Sequence, residues 1–191
     1  GRTLEFIHKH LSPMGITLPC VTTQGAVIGD PVTGNILRRD DIQRAEARDL
    51  AAWVDAGTRL CAFYFVDEHG RNTIVENLRT PANPYYDAII GVPRHFEPSF
   101  SALLEAEDAE LPVKLLMVSD KMEEPNLPAE LQARFGLGVH VGRTHPSLCE
   151  ITSAGVDKGS GVAHLLEMLQ VEPARVLAIG DNDNDVPMFR Q

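Results

Sequence analysis

Val176-Leu-Ala-Ile-Gly-Asp-Asn-Asp-Asn-Asp-Val-Pro-Met-Phe189 is the stretch on which the reading of this chain turns. An apolar run, 176–179, ends on Gly180, and three aspartates and two asparagines follow at once. The run predicts a buried strand, and the polar residues predict a loop at its carboxyl end. Asp181, Asp183 and Asp185 repel one another at this spacing unless a cation or a basic group sits among them. Hard oxygen donors at the carboxyl end of a parallel-type strand point to a Mg²⁺ site facing a phosphate. Two other readings compete. Alternate aspartates suggest a Ca²⁺ loop, but its sixth position should be glycine and is Val186, with Pro187 next. A solvated acidic turn is the other, and the neighbouring sequence has to decide.

Upstream lies Gly155-Val-Asp-Lys-Gly-Ser160. Val162, Leu165, Leu166 and Leu169 recur at i, i+3, i+4 and i+7, which predicts a helix over 160–170. A helix N-terminus attracts anions through its free N–H groups and dipole, and Lys158 adds a full charge there. One helix and one strand separate Lys158 from Asp181, the length of a single α/β unit. Both residues then meet at the same edge of the sheet.

The rest of the chain alternates in the same way. Leu4, Ile7 and Leu11 mark a first helix that breaks near Pro13 and Gly15. Strands are predicted over 19–23, 26–28 and 36–37, the last two as a hairpin across Gly29 to Gly34. Asp40 or Asp41 is the expected N-cap of a second helix, with Ile42, Ala45, Leu50, Trp53 and Val54 as its apolar stripe and Gly57 as its C-cap. Further strands are expected over 60–66, 87–90, 113–118, 138–141 and 148–151. Helices are expected over 102–110 and along Leu127, Leu131 and Phe135. Strands alternating with helices predict α/β architecture.

Composition excludes some partners. The chain has 191 residues, 43% apolar and 23% charged, ordinary for a globular protein. Its net charge of −10 argues against a nucleic-acid backbone as partner. A bound divalent cation can still reverse the field locally for a small anion. No apolar run is long enough to span a membrane. Cys20, Cys61 and Cys149 are widely spaced and odd in number, which reads as reduced thiols in a cytoplasmic protein. The first residue is not Met, and the chain stops just after the acidic loop, so both ends read as interruptions of a longer protein.

Taken together, Gly180-Asp-Asn-x-Asn-Asp-x-x-Met-Phe189 and Val156-Asp-Lys-Gly159 resemble the haloacid dehalogenase superfamily, and within it the Cof-type phosphatases. Cys149-Glu-Ile-Thr152, Gly25-Ala-Val-Ile28, Gly34-Asn-Ile-Leu37 and Gly1-Arg2 extend the resemblance along the chain. Gln24 departs from it, standing where the family usually has Asn.

The resemblance implies an α/β fold, a partial doubly wound (Rossmann-like) core over 1–39 and 148–191. An inserted α/β cap, which selects the substrate, would occupy 40–147. It implies hydrolysis of phosphate monoesters of small metabolites, sugar phosphates among them. An aspartate nucleophile forms an aspartyl-phosphate, a second aspartate acts as general acid/base, and Mg²⁺ clamps the phosphate. By position, Asp181 matches the Mg²⁺ ligand and Asp185 a supporting carboxylate beside the metal. Asn184 matches a phosphate-holding residue, and Lys158 the lysine that bridges phosphate and nucleophile. Arg143 and His145 are candidate cap contacts to substrate, whereas His140 reads as structural and Trp53 as core. The family's Asp-x-Asp nucleophile motif lies upstream of the segment matched by Gly1-Arg2, so the chain alone is expected to be inactive. A phosphomutase of the same superfamily and a non-catalytic module that binds phosphorylated metabolites are the alternatives.

Overall fold

The computed structural model describes residues 1–79 and 93–191, so the strand expected over 87–90 lies outside the described residues. The chain opens with helix α1 (Leu4–Leu11). A small antiparallel sheet follows, built from β1 (Cys20–Thr22), β2 (Val27–Gly29) and β3 (Ile36–Arg39) in that order. Its turn closes where the Asp30 carboxylate accepts hydrogen bonds from the N–H groups of Val32 and Thr33.

Helix α2 (Arg44–Asp55) begins later than expected. Asp40 and Asp41 do not cap it, because they pair with Arg38 and Arg39. Gln43 takes the N-cap position without a side-chain bond, and Ala56 rather than Gly57 takes the C-cap. The buried face is Ala47, Leu50, Ala51 and Val54, with Ala45 turned outward. Trp53 packs at the rim of the core, edge-on to Phe135 at 6.0 Å between ring centroids.

The second sheet holds β4 (Cys61–Val66), β5 (Asn72–Glu76), β6 (Arg94–Phe96), β7 (Lys114–Val118), β8 (Val139–His145) and β9 (Leu148–Ser153). Its spatial order is β6-β5-β4-β7-β9-β8. Only β5 and β6 pair in parallel among the described strands. The fold is mixed α/β, as predicted, but most neighbours are antiparallel, and tight turns join two of the pairs, β4–β5 and β8–β9: Asp67 closes the first by accepting from the N–H groups of His69 and Arg71. β5 and β6 were not predicted. The remaining helices are α3 (Phe100–Leu103), α4 (Leu127–Phe135) and α5 (Lys158–Leu169). The helix expected over 102–110 is thus a single short turn, placed earlier.

β4 is buried along its whole length because both faces of the sheet are covered. Cys61, Phe63 and Phe65 face a core closed by α2, α3 and α4. Ala62, Tyr64 and Val66 face the small sheet through Ala26 and Val27. Phe63 stacks on Phe100 at 4.6 Å, a contact of about 0.5–1.5 kcal/mol beyond its buried area.

One expectation needs correction. Residues 176–179 form no strand: neither sheet pairs with them, and Leu177 and Ile179 are 83% and 82% exposed. The Val176 N–H instead closes the preceding 3-10 turn on the Pro173 carbonyl at 3.0 Å. The boundary expected at 147–148 falls in the turn between the paired strands β8 and β9, so the six-stranded sheet runs on to Ser153.

Candidate active site

Close backbone packing brings three segments to one point. The N-terminus of α5 is fixed by a capping box: Asp157 Oδ1 accepts from Ser160 N at 2.8 Å, and Ser160 Oγ accepts from Asp157 N at 3.0 Å. Lys158 is the first residue of the helix. Gly25, at φ +100°, comes so close to the Asp157 carbonyl that a Cβ would stand 1.9 Å from its oxygen. On the other side a Cβ at Gly159 would meet the Pro187 carbonyl oxygen at 2.4 Å. Glycine at both positions is therefore what lets the helix end sit between the turn at 23–25 and the acidic loop.

Within the acidic loop the carboxylates have separate surroundings. Asp185 is buried, and its Oδ1 accepts from Lys158 Nζ at 2.5 Å. Its Oδ2 accepts from the N–H groups of Asp181 and Asn182, both at 3.2 Å. Burial opposes the charge of Asp185, but the Lys158 ammonium and the two N–H groups outweigh it and hold the carboxyl below its usual range. Asp181 and Asp183 are exposed, and the Asp181 carboxylate has no hydrogen-bond or ion-pair partner among the described residues. Asn182 ties the loop to β8 by donating from Nδ2 to the Thr144 carbonyl at 3.1 Å. After the loop the chain continues in 3-10 turns, Asp183–Arg190.

Lys158 thus meets Asp185, with the Asp181 backbone beside them; the meeting expected of Lys158 and Asp181 was at the edge of a sheet that residues 176–179 do not join. No three His, Cys, Asp or Glu side chains converge on a metal position among the described residues. With both Asp185 oxygens engaged, the loop offers the free Asp181 carboxylate and the exposed Asp183. That set fits Mg²⁺, which keeps several waters and is held through one or two carboxylates plus phosphate oxygens. It does not fit an all-protein Ca²⁺ cage.

A cavity of about 200 Å³ opens beside this cluster, lined among others by Gln24, His140, Glu150, Thr152, Lys158 and Asn184. Asn184 Nδ2 donates to Gln24 Oε1 at 3.0 Å. Gln24 Nε2 donates to Glu150 Oε2 at 2.5 Å, and Lys114 Nζ to Glu150 Oε1 at 2.7 Å. Lys114 also lies over the Tyr64 ring, 4.1 Å from its centroid. Sequence reasoning gave Lys114 and Glu150 no role. Their signal was present: each is the lone charge inside an apolar strand, and two such charges of opposite sign call for a partner.

Arg143 lines the same cavity, but its guanidinium is bound to the protein. It donates to the Ser119 carbonyl at 3.0 Å, Ser119 Oγ at 3.3 Å, the Glu124 carbonyl at 2.7 Å and the Pro146 carbonyl at 3.4 Å. His145 is exposed and its Nδ1 accepts from Ser147 N at 3.1 Å. His140, read as structural, is half-buried and faces the cavity. Val139 and Val141 pack on the helical core, so strand alternation turns His140 to the opposite face.

Across residues 1–191 the sequence matches the family described as haloacid dehalogenase-like hydrolase. The chain belongs to that family. Among curated proteins, this haloacid dehalogenase-like chain is 27% identical over 110 residues to "Putative phosphatase YxeH" of Bacillus subtilis, covering 55% of the chain and 37% of that protein. It is 39% identical over 51 residues to the chloroplastic endoribonuclease YBEY of Arabidopsis thaliana, covering 27% of the chain and 9% of that protein. The chain therefore spans well under half the length of these curated relatives.

Solved structures share the fold. A haloacid dehalogenase-like hydrolase from B. subtilis superposes with a TM-score of 0.79 at 18% identity, covering 99% of this chain and 72% of that one. TM0651 from Thermotoga maritima gives 0.74 at 22% identity, covering 99% and 68%. A haloacid dehalogenase subclass IIB sugar phosphatase, BT4131, gives 0.69 at 18% identity, covering 95% and 64%.

Proposed function

We propose that this chain carries the phosphate- and metal-binding wall of a phosphatase that hydrolyses phosphate monoesters of small metabolites, of the sugar-phosphate kind, through an aspartyl-phosphate. The observation that carries the reading is Lys158 at a capped helix N-terminus, bonded to Asp185 beside the free carboxylate of Asp181. The name of the sugar phosphatase that shares the fold supports the substrate class.

In this reading the α5 N–H groups and Lys158 Nζ bind the phosphoryl oxygens, which are acceptors only. Asp185 holds the ammonium in place and would support the metal from beside Asp181, with one lone pair of Oδ1 still unused. Asp181, with Asp183 near it, would hold Mg²⁺, which supplies charge neutralisation at the phosphoryl group. Asn184 adds a donor to the phosphate through the second hydrogen of its Nδ2, the first being held by Gln24 Oε1. The six-stranded sheet and its helices act as the cap, closing over the site and excluding water. Arg143 shapes that wall. The buried thiols fit a cytoplasmic setting.

The remaining acidic groups of the cavity wall are committed elsewhere: Asp157 caps α5 and Glu150 is bonded to Lys114. None stands as the attacking nucleophile, so residues 1–191 alone should bind phosphate with Mg²⁺ and leave sugar phosphates intact. Isothermal titration with inorganic phosphate and Mg²⁺ tests the first half, and release of phosphate from glucose 6-phosphate tests the second. No phosphate binding at millimolar ligand would sink the reading. Hydrolysis that disappears in Asp181→Ala would show that the nucleophile lies within these residues.

A further inference from the structure

We propose that Glu150 is a positioning residue that acts through Gln24 to fix how the Asn184 side chain faces the candidate site. The inference deepens the phosphatase reading in placing Asn184 at a phosphate, but the relay itself stands on hydrogen-bond direction alone.

Glu150 is buried at 5% exposure inside the six-stranded sheet, and Lys114 at 2%. A carboxylate beside an ammonium is ionised and only accepts hydrogen bonds. The Gln24 amide must therefore turn its NH₂ towards Glu150, which leaves Oε1 on the other side. Oε1 in turn accepts only a donor, so Asn184 must offer its Nδ2. The Asn184 amide is then set: one Nδ2 hydrogen is held by Gln24 and the other is left for the cavity that Asn184 and Lys158 line, while Oδ1 is buried with no hydrogen-bond partner among the described residues. Three links pass one instruction from a charge in the sheet to a side chain of the acidic loop. Replacing the charge with an amide reverses the instruction: Lys114 can only donate, so a Gln at 150 gives its oxygen to Lys114 and its NH₂ to Gln24, which then turns its own oxygen away from Asn184.

A second observation supports the relay independently. Thr23 and Gln24 both lie in the left-handed region, at φ +50° and +59°, which is strained for residues other than glycine. Thr23 Oγ1 is also buried without a hydrogen-bond partner among the described residues. This strained turn holds Gln24 between Glu150 and Asn184. Neither carboxylate chemistry nor the metal position uses it.

The test is nuclear magnetic resonance on ¹⁵N-labelled residues 1–191 without ligand, reading the side-chain NH₂ signals of Gln24 and Asn184. Asn184→Asp assigns the second signal. In the wild type both should be displaced from the exposed-amide region and exchange slowly with water. In Glu150→Gln, with the backbone amide spectrum as the check on folding, the Asn184 signal should move towards the exposed region. Its exchange should speed up by about tenfold or more. Gln24→Asn is the milder variant: one methylene shorter, it cannot reach both partners, and the Asn184 signal should move likewise. An unmoved Asn184 signal in either folded variant overturns the proposal.

Phosphate titration with Mg²⁺ then separates this from the phosphatase reading. Glu150→Gln should weaken phosphate by about tenfold in the wild-type background, and by much less in Asn184→Ala, where the relay has nothing left to position. Additive losses would assign Glu150 a purely structural role and overturn the proposal. Absence of phosphate binding throughout would count against the phosphatase reading, while the amide signals would still decide the relay.

Discussion

Lys158 has one ammonium and two demands on it. It neutralises Asp185, whose side chain is only 8% exposed, and it stands where a phosphoryl group would sit. Removing it should show both effects separately. In Lys158→Met the Asp185 carboxylate keeps two N–H partners but loses its cation, and thermal or urea unfolding should show a loss of about 1–3 kcal/mol. Phosphate affinity should fall by about tenfold or more. Lys158→Arg should restore part of the stability and little of the binding, because a planar guanidinium cannot replace a point charge held against one Asp185 oxygen. Asp181→Asn makes the opposite case. Its carboxylate has no partner among the described residues, so the fold should be unchanged within about 0.5 kcal/mol. The dependence of phosphate binding on Mg²⁺ should be lost instead. These two residues were legible in the sequence because motif spacing alone places them. Gln24 and Glu150 were not, since their meeting depends on which face of β9 turns to the small sheet.

At the scale of elements, the site depends on how closely α5 approaches its neighbours. Gly25→Ala puts a Cβ 1.9 Å from the Asp157 carbonyl oxygen and at a backbone angle of +100°. Backbone must move at both points, and the unfolding free energy should drop by about 2–4 kcal/mol. Gly142→Ala is the control. Its Cβ would meet only His140 Nε2 at 3.6 Å, an ordinary contact, and β8 should tolerate it at under about 0.5 kcal/mol. Differential unfolding of the two variants checks the pair, and equal losses would refute the close-packing argument. The elements themselves were largely readable. α5 begins within two residues of the predicted start, because the i, i+3, i+4, i+7 stripe and Asp157 agree on it. The run 176–179 misled for a physical reason: periodicity reports what a segment can bury, and burial needs a partner strand. β5 escaped because its Thr73-Ile-Val run is short and follows a turn that already seemed to end β4.

For the molecule as a whole, the buried pair Lys114–Glu150 links the six-stranded sheet to the small sheet at Gln24 and should govern acid stability. Burial opposes the ionisation of Glu150, but the charge of Lys114 and the bonds from Lys114 and Gln24 outweigh it, taking its pKa from 4.5 down to about 2. A carboxylate with a depressed folded pKa contributes stability that is complete above its unfolded value. That stability is lost as the pH falls towards the folded value. Asp185 adds a loss of the same sign through its contact with Lys158. Asp41 and Glu110, raised by burial, contribute in the opposite direction and steepen nothing below pH 4. The wild-type unfolding midpoint should therefore fall steadily as the pH drops from about 4.5 towards about 2. Glu150→Gln should start lower, since it leaves the Lys114 ammonium buried without its counter-ion, at a cost of about 3–5 kcal/mol. Its midpoint should then decline less steeply over the same interval, because the group that would take up the proton is gone. Lys114→Met should also start lower, and for the reverse reason: the Glu150 carboxyl, freed of its cation, would protonate at higher pH in the folded state, so its share of the acid decline should shrink or reverse. Scanning calorimetry from pH 7 to 2 on the three proteins reads all of these slopes. Parallel curves for wild type and Glu150→Gln would mean that acid unfolding starts elsewhere and that the pair is only a packing element.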